Sequence, residues 1–269
     1  MFLALQIWLG QHLFGIIGNP GFPAGYRITP KRVIKWPCEE PELDGHQFAT
    51  MNTDLPIPRI YRTHRWRGHL GIEMEYVPHC TTLQEGWHKL SRKYKQRIVD
   101  QLSKYIAQLR SLKPAPGSSG KVSATNGGAC HDVRVGSAKP FGPFDDIAGF
   151  HRCLRGGVDL NATPEIFGDK VADVHARPYG IRFKHGDLGV QNILIRHGHI
   201  VAIIDWECSG WYPEYWEYTK AHYNSALLPE FYEMLRQRMP RYDDELAAER
   251  VLWRFFDQPL DVDYAQHKA

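Results

Sequence analysis

The sequence predicts an α+β fold, and three observations carry that prediction. Short strand candidates separated by turn residues occupy the N-terminal part, at 26–29, 32–36 and 71–77. A long amphipathic helix candidate follows at 91–112, with Ile98, Leu102, Tyr105, Ile106, Leu109 and Leu112 recurring at three- and four-residue steps. The stretch 184–207, KHGDLGVQNILIRHGHIVAIIDWE, reads as a β-hairpin with polar residues at its open end. At 269 residues and 43% hydrophobic content, the chain is long and apolar enough for one large domain or two lobes.

The hairpin organises the rest. Ile193-Leu194-Ile195 is one apolar strand, and residues 200–204 are a second, rich in β-branched residues. Between them Arg196-His197-Gly198-His199 is a polar tetrapeptide suited to a tight turn. Asp205 follows the second strand at once. If the two runs pair antiparallel, Asn192 and Asp205 come to one edge, with Asp187 a few residues upstream on the same side. An amide oxygen and two carboxylates meeting there suit a hard divalent cation such as Mg²⁺.

The spacing His185-x-Asp187, with four residues between Asp187 and Asn192, then a strand pair and Asp205, resembles the catalytic loop and metal-binding Asp of the protein-kinase-like fold. HGDLxxxNIL followed by IIDWE is more similar to aminoglycoside phosphotransferases and choline kinases than to protein kinases. D-F-G and A-P-E are absent, and D-W-E stands instead. The continuation ECSGWYPEYWEY resembles the fungal branch of that family.

The resemblance implies two lobes. Residues 1–77 would form a small antiparallel-sheet lobe that binds nucleotide and ends in a hinge. Residues 78–269 would form a larger, mainly helical lobe with the catalytic loop, metal site and acceptor pocket. It implies transfer of the ATP γ-phosphoryl group to a hydroxyl of a small acceptor, with Mg²⁺ held by Asn192 and Asp205 and the acceptor proton taken or oriented by Asp187. Val33-Ile34-Lys35 resembles the strand whose lysine grips the α and β phosphates. Glu42 is the expected partner of Lys35, with Glu39 and Glu40 competing. Met74-Glu75-Tyr76-Val77 resembles the hinge: Met74 would line the pocket, while the Glu75 carbonyl and Val77 N–H would bond the adenine. His185 would brace the loop. Gly189 departs from the histidine frequent at that place in the family. G-x-G-x-x-G is missing from 18–25, which leaves a competing expectation: a kinase-fold protein that binds nucleotide or regulates without transferring phosphate.

Residues 1–17 carry no Lys, Arg, Asp or Glu. A secretory leader would want a basic start, and Gln6, Gln11, His12 and two glycines interrupt any span. A helix packed on the domain and ending near Gly15 is expected, with no stable membrane insertion. Residues 18–25 read as loop. The helix opened by Glu42 is weakened by Asp44 and Gly45, and Pro56 and Pro58 impose an extended segment. Residues 113–130 read as an inserted loop and 132–144 as irregular. Helices are expected at 145–154, capped by Asp145 or Asp146, and at 215–227, 228–239 and 243–256. Trp211, Tyr212, Tyr215, Trp216 and Tyr218 suggest core packing, with a cage for a cationic acceptor as the alternative. The acids Glu207, Glu214 and Glu217 would favour such a cation.

Composition excludes other classes. A net charge of +3 without a long basic run does not imply nucleic acid. The cysteines Cys38, Cys80, Cys130, Cys153 and Cys208 are odd in number and widely spaced, which fits free thiols in a reducing, cytoplasmic setting. Fourteen histidines contain no H-E-x-x-H pattern.

Overall fold

A computed structural model describes residues 2–17, 24–136, 139–223 and 225–256. The loop expected at 18–25 lies largely outside the described residues.

The chain opens with helix α1 (Phe2–Phe14), followed by β1 (Ile16–Ile17), β2 (Ala24–Thr29) and β3 (Arg32–Cys38). Helix α2 (Glu40–Asn52) intervenes before β4 (Ile60–Trp66) and β5 (His69–Glu75). These strands form one antiparallel sheet in the order β1-β2-β3-β5-β4. Alternation along the strands gives the sheet two faces. Val33, Cys38, Leu70, Ile72 and Met74 cluster on the inner face with Leu43 of α2. Ile34 and Trp36 point outward, where α1 covers them with Leu3 and Ile7. The sequence reading did not resolve β4: it is polar and largely exposed, so its alternation is not written in apolar residues.

The remainder is mainly helical. After β6 (Thr81–Thr82) and α3 (Leu83–Gly86) comes α4 (Arg92–Ser111), the long amphipathic helix, which buries Ile98, Val99, Leu102, Ile106 and Leu109. Then follow β7 (Ser123–Ala124), α5 (Val133–Gly136), α6 (Ile147–Leu154), α7 (Thr163–Phe167), α8 (Asp169–Ala176) and β8 (Ile181–Lys184). Asp146 caps α6 by accepting from the Gly149 N–H at 2.7 Å. The hairpin β9 (Ile193–Arg196) and β10 (His199–Ile203) leads to β11 (Gly210–Pro213), α9 (Trp216–Tyr223), α10 (Pro229–Arg236) and α11 (Asp243–Phe256). Two small sheets, β10-β9-β6 and β7-β11-β8, pack with the helices around one large core. The chain therefore has two lobes, a small sheet lobe and a larger helical one.

Residues 113–130 are not the plain loop expected. Ser123 and Ala124 pair with Trp211 and Gly210, adding a strand to the β11-β8 sheet. The aromatic run proves to be core. Trp211, Tyr212, Tyr215, Trp216 and Tyr218 are all buried, and Tyr212 and Trp216 pack on Phe150. They leave no open cage for a cation. All five cysteines are free.

Candidate active site

The hairpin turn at His197 and Gly198 has positive φ at both residues, the geometry of a tight two-residue connection. Ile193 therefore pairs with Ile203, and the Ile204 N–H donates to the Asn192 carbonyl at 3.0 Å. That register carries Asp205 to the same edge as Asn192. Asp205 itself has φ 71, a left-handed conformation uncommon outside glycine and recurrent at functional sites.

Asp187 sits in the preceding loop, held from several directions. The Asn192 Nδ2 donates to both the Asp187 carbonyl and its Oδ2, each at 2.9 Å. With its nitrogen engaged, Asn192 keeps its amide oxygen for another partner. His185 is buried, and burial holds it below its ordinary pKa. The neutral ring donates from Nε2 to the Ile204 carbonyl at 3.1 Å and accepts at Nδ1 from the Asp187 N–H at 3.3 Å. It thus ties the Asp187 loop to the strand that bears Asp205. Gly186 has φ 82 and lies so close to Cys208 that a Cβ would meet its carbonyl oxygen at 2.2 Å. Helix α9 closes the back, where Glu217 accepts from the His185 N–H at 3.0 Å.

From the other lobe, β3 delivers Lys35 to the inner face. Its ammonium donates to Glu42 of α2 and, at 2.7 Å, to Asp205. Burial acts to lower the Lys35 pKa, but the two carboxylates outweigh it and keep the amine charged. The competition among glutamates is settled by the phase of α2. Glu40 pairs outward with Arg65, Glu39 faces His131 at 3.5 Å, and Glu42 is only 2% exposed against Lys35. Helix α2 forms in spite of Gly45 because that glycine is where it touches the other lobe. A Cβ there would meet the Ser209 Oγ at 1.9 Å and the Trp206 carbonyl at 2.8 Å. The expected hinge residues span the end of β5: Met74 is buried on the inner face, Glu75 closes the strand, and the Tyr76 N–H donates to the Lys31 carbonyl at 2.9 Å, which places Glu75 and Val77 on either side of an anchored residue.

The site holds one carboxylate that the metal assignment did not include. Among the described residues, Glu42, Asp205 and Glu207 each offer an oxygen within 4.8 Å of the others. Burial, then Asp205, push the Glu207 carboxyl up. The Asp-x-Glu spacing of D-W-E is the signal for it: the left-handed Asp205 and the turn at 207–208 bring the second carboxylate back beside the first. Burial also pushes Asp187 up, and Lys220 opposes that by attraction. Lys35 stands among these carboxylates as the cation bridging Glu42 and Asp205, and hard oxygens of this kind could hold a divalent cation. Glu214 and Glu217 have structural partners instead: Arg110 at 3.6 Å and the His185 backbone.

A small lobe of antiparallel sheet, a lysine–glutamate pair, and a loop and hairpin that bring Asp187, Asn192 and Asp205 to one edge define a kinase-like phosphotransferase. The sequence model of the phosphotransferase enzyme family (APH) matches residues 41–249, and the chain belongs to that family. No curated protein matches the sequence. The fold is similar to that of APH(4)-Ia in ternary complex with AMP-PNP and hygromycin B, at 14% identity and a TM-score of 0.63, covering 93% of this chain and 88% of that one. It is similar also to ADP-bound APH(2'')-Ib, at 13% identity, TM-score 0.59 and coverages of 94% and 86%. The GDP and kanamycin complex of an APH(2") enzyme gives 15% identity, TM-score 0.60 and coverages of 94% and 88%.

Proposed function

We propose that the protein is an ATP-dependent small-molecule kinase that phosphorylates a hydroxyl of a small, cationic acceptor. The observation that carries this reading is the pair of ion contacts from Lys35 to Glu42 and Asp205, made beside an Asp187 held by Asn192. Lys35 would grip the α and β phosphates with Glu42 fixing its direction. Met74 would border the adenine, bonded by the Glu75 carbonyl and the Val77 N–H. We place the lobe boundary after Val77, with 1–77 as the nucleotide lobe and 78–269 as the lobe of the acceptor.

The donor set fits Mg²⁺: Asp205 and Glu207 offer hard oxygens within 4.8 Å of each other, and Asn192, at the same hairpin edge, keeps an amide oxygen to add. Mg²⁺ bound there would neutralise phosphate charge and polarise the transferring group. Asp187 would accept or orient the acceptor proton, and His185 would keep its loop aligned with Asp205. The neighbours' names support the acceptor class, since hygromycin B and kanamycin are the small molecules in those complexes. The acidic character of the cleft supports a cationic acceptor. The free cysteines support a reducing cytoplasmic setting.

Calorimetric titration with ATP, with and without Mg²⁺, tests the nucleotide site on the wild type and on Asp205→Ala. The expected result is metal-dependent binding that the variant loses. Absence of binding under both conditions overturns the kinase reading. ADP release with a panel of hydroxylated amines then identifies the acceptor.

A further inference from the structure

Most of the exposed large apolar side chains of the small lobe gather on one element, with Ile17, Met51 and Tyr61 elsewhere. Helix α1 presents Leu5, Trp8, Leu9, Leu13 and Phe14 outward, and Leu13 is 70% exposed. Its other face is already occupied. Leu3 and Ile7 pack on Ile34 with Tyr26, Ile28, Trp36 and Trp66 around them. Gly10 approaches β2 so closely that a Cβ would meet the Arg27 carbonyl at 2.3 Å. The helix contains no Lys, Arg, Asp or Glu. A helix apolar on both sides requires two apolar surroundings, and the sheet supplies one.

The surface beside it is basic. Ile34, on which α1 sits, pairs across β3 and β5 with Glu73. Glu73 is buried on that outer face beneath Arg32 at 2.6 Å, Arg62 at 2.8 Å and His64 at 3.0 Å. The Arg27 guanidinium lies 4.6 Å from the Phe14 ring, and that of Arg67 lies 4.7 Å from the Trp66 ring. An uncharged apolar strip with Trp8 at its middle is thus flanked by arginines.

We propose that α1 and this arginine rim dock the small lobe onto an anionic phospholipid surface. The apolar strip would sit at the boundary of headgroups and acyl chains, with the arginines on the phosphates. No described helix is long and apolar enough to cross a membrane, so the contact is interfacial. A second copy of the chain is the poorer occupant, because face-to-face pairing sets arginine against arginine. Lys35 follows Ile34 in β3 and points to the opposite face of the sheet, so docking leaves the cleft open. The inference is independent of the phosphotransfer reading.

Flotation of the full chain with phosphatidylcholine vesicles, with and without phosphatidylserine, tests it. Binding to the phosphatidylserine vesicles that weakens with added salt is expected. Leu13→Glu should abolish it, and Arg62→Gln or Arg67→Gln should each weaken it about fivefold. Leu13→Glu changes a solvent-facing side chain, so an unchanged melting curve separates lost docking from lost folding. Failure to float with either vesicle overturns the proposal. So does flotation indifferent to all three substitutions. A dimer in sedimentation velocity that Leu13→Glu dissociates overturns it too, by assigning the face to a second copy.

Discussion

The Lys35 ammonium lies 2.7 Å from Oδ1 of Asp205, a residue 170 positions further along the chain, while also bonded to Glu42. This one amine joins β3, α2 and the end of the β9–β10 hairpin. It spans the two lobes, and the carboxylates that would receive the metal are arranged around it.

Removing that amine leaves Glu42 buried without its cation. Lys35→Met should lower stability by about 3 kcal/mol, the order of cost for breaking a buried pair from one side. Adding Glu42→Gln should return most of the loss, because the orphaned charge then disappears. Urea unfolding of the two single variants and the double variant measures this. Equal stability of Lys35→Met and the double variant would contradict the pairing.

Gly45→Ala should act against helix propensity. Alanine is the better helix former by about 1 kcal/mol. Here its methyl group would enter the space of the Ser209 hydroxyl and the Trp206 carbonyl. Net destabilisation of about 1–3 kcal/mol is expected from overpacking, together with weaker ATP binding as Glu42 moves off Lys35. Thermal melting and calorimetry read the two effects separately.

Asp187→Ala should reduce kcat by roughly 10²–10⁴, the range for losing a general base. ATP affinity should stay within about a factor of two, since Asp187 is assigned to the acceptor side of the reaction. Single-turnover transfer to any acceptor found by the ADP-release screen tests it. Undiminished turnover would remove Asp187 from the mechanism.

Acid should unfold the large lobe in a defined window. His151 and His175 stack at 4.0 Å in the core, and His151 bonds the Tyr215 hydroxyl at 2.8 Å. Burial lowers His151 to about 4, and burial with the neighbouring His151 and Arg155 lowers His175 to about 2. Both are neutral in the fold and take protons on unfolding, so their contribution is present above pH 6.5. It is lost as pH falls from 6.5 through the folded values, about 3 kcal/mol for His151 alone. Melting temperature should therefore fall steeply between pH 6.5 and 4. His175→Gln should flatten that slope; an unchanged slope would show that these rings do not govern it.

The hairpin was legible in the sequence because its signals are local. Apolar runs, a Gly-containing turn and the places of Asn192 and Asp205 follow from counting residues, and the register bears this out. The long helix α4 and the terminal helix α11 were legible for the same reason, since their apolar periods are written in the chain. The segment 155–183 was not. Its helices α7 and α8 are short, and β8 gains its identity by pairing with β11.

What the sequence determined by itself was the α+β class, the polar edge of one hairpin and the residue types that meet there. What only the tertiary structure decided was which partners those residues take. Glu42 rather than Glu39 or Glu40 meets Lys35 because α2 is rotated to press Gly45 on Trp206 and Ser209. The aromatics after Asp205 fill a core instead of facing a ligand. Glu207 joins Glu42 and Asp205 across lobes far apart in the chain. Local spacing sets the phase of one element, but the meeting of side chains from different elements is set by packing, and packing depends on all of them at once.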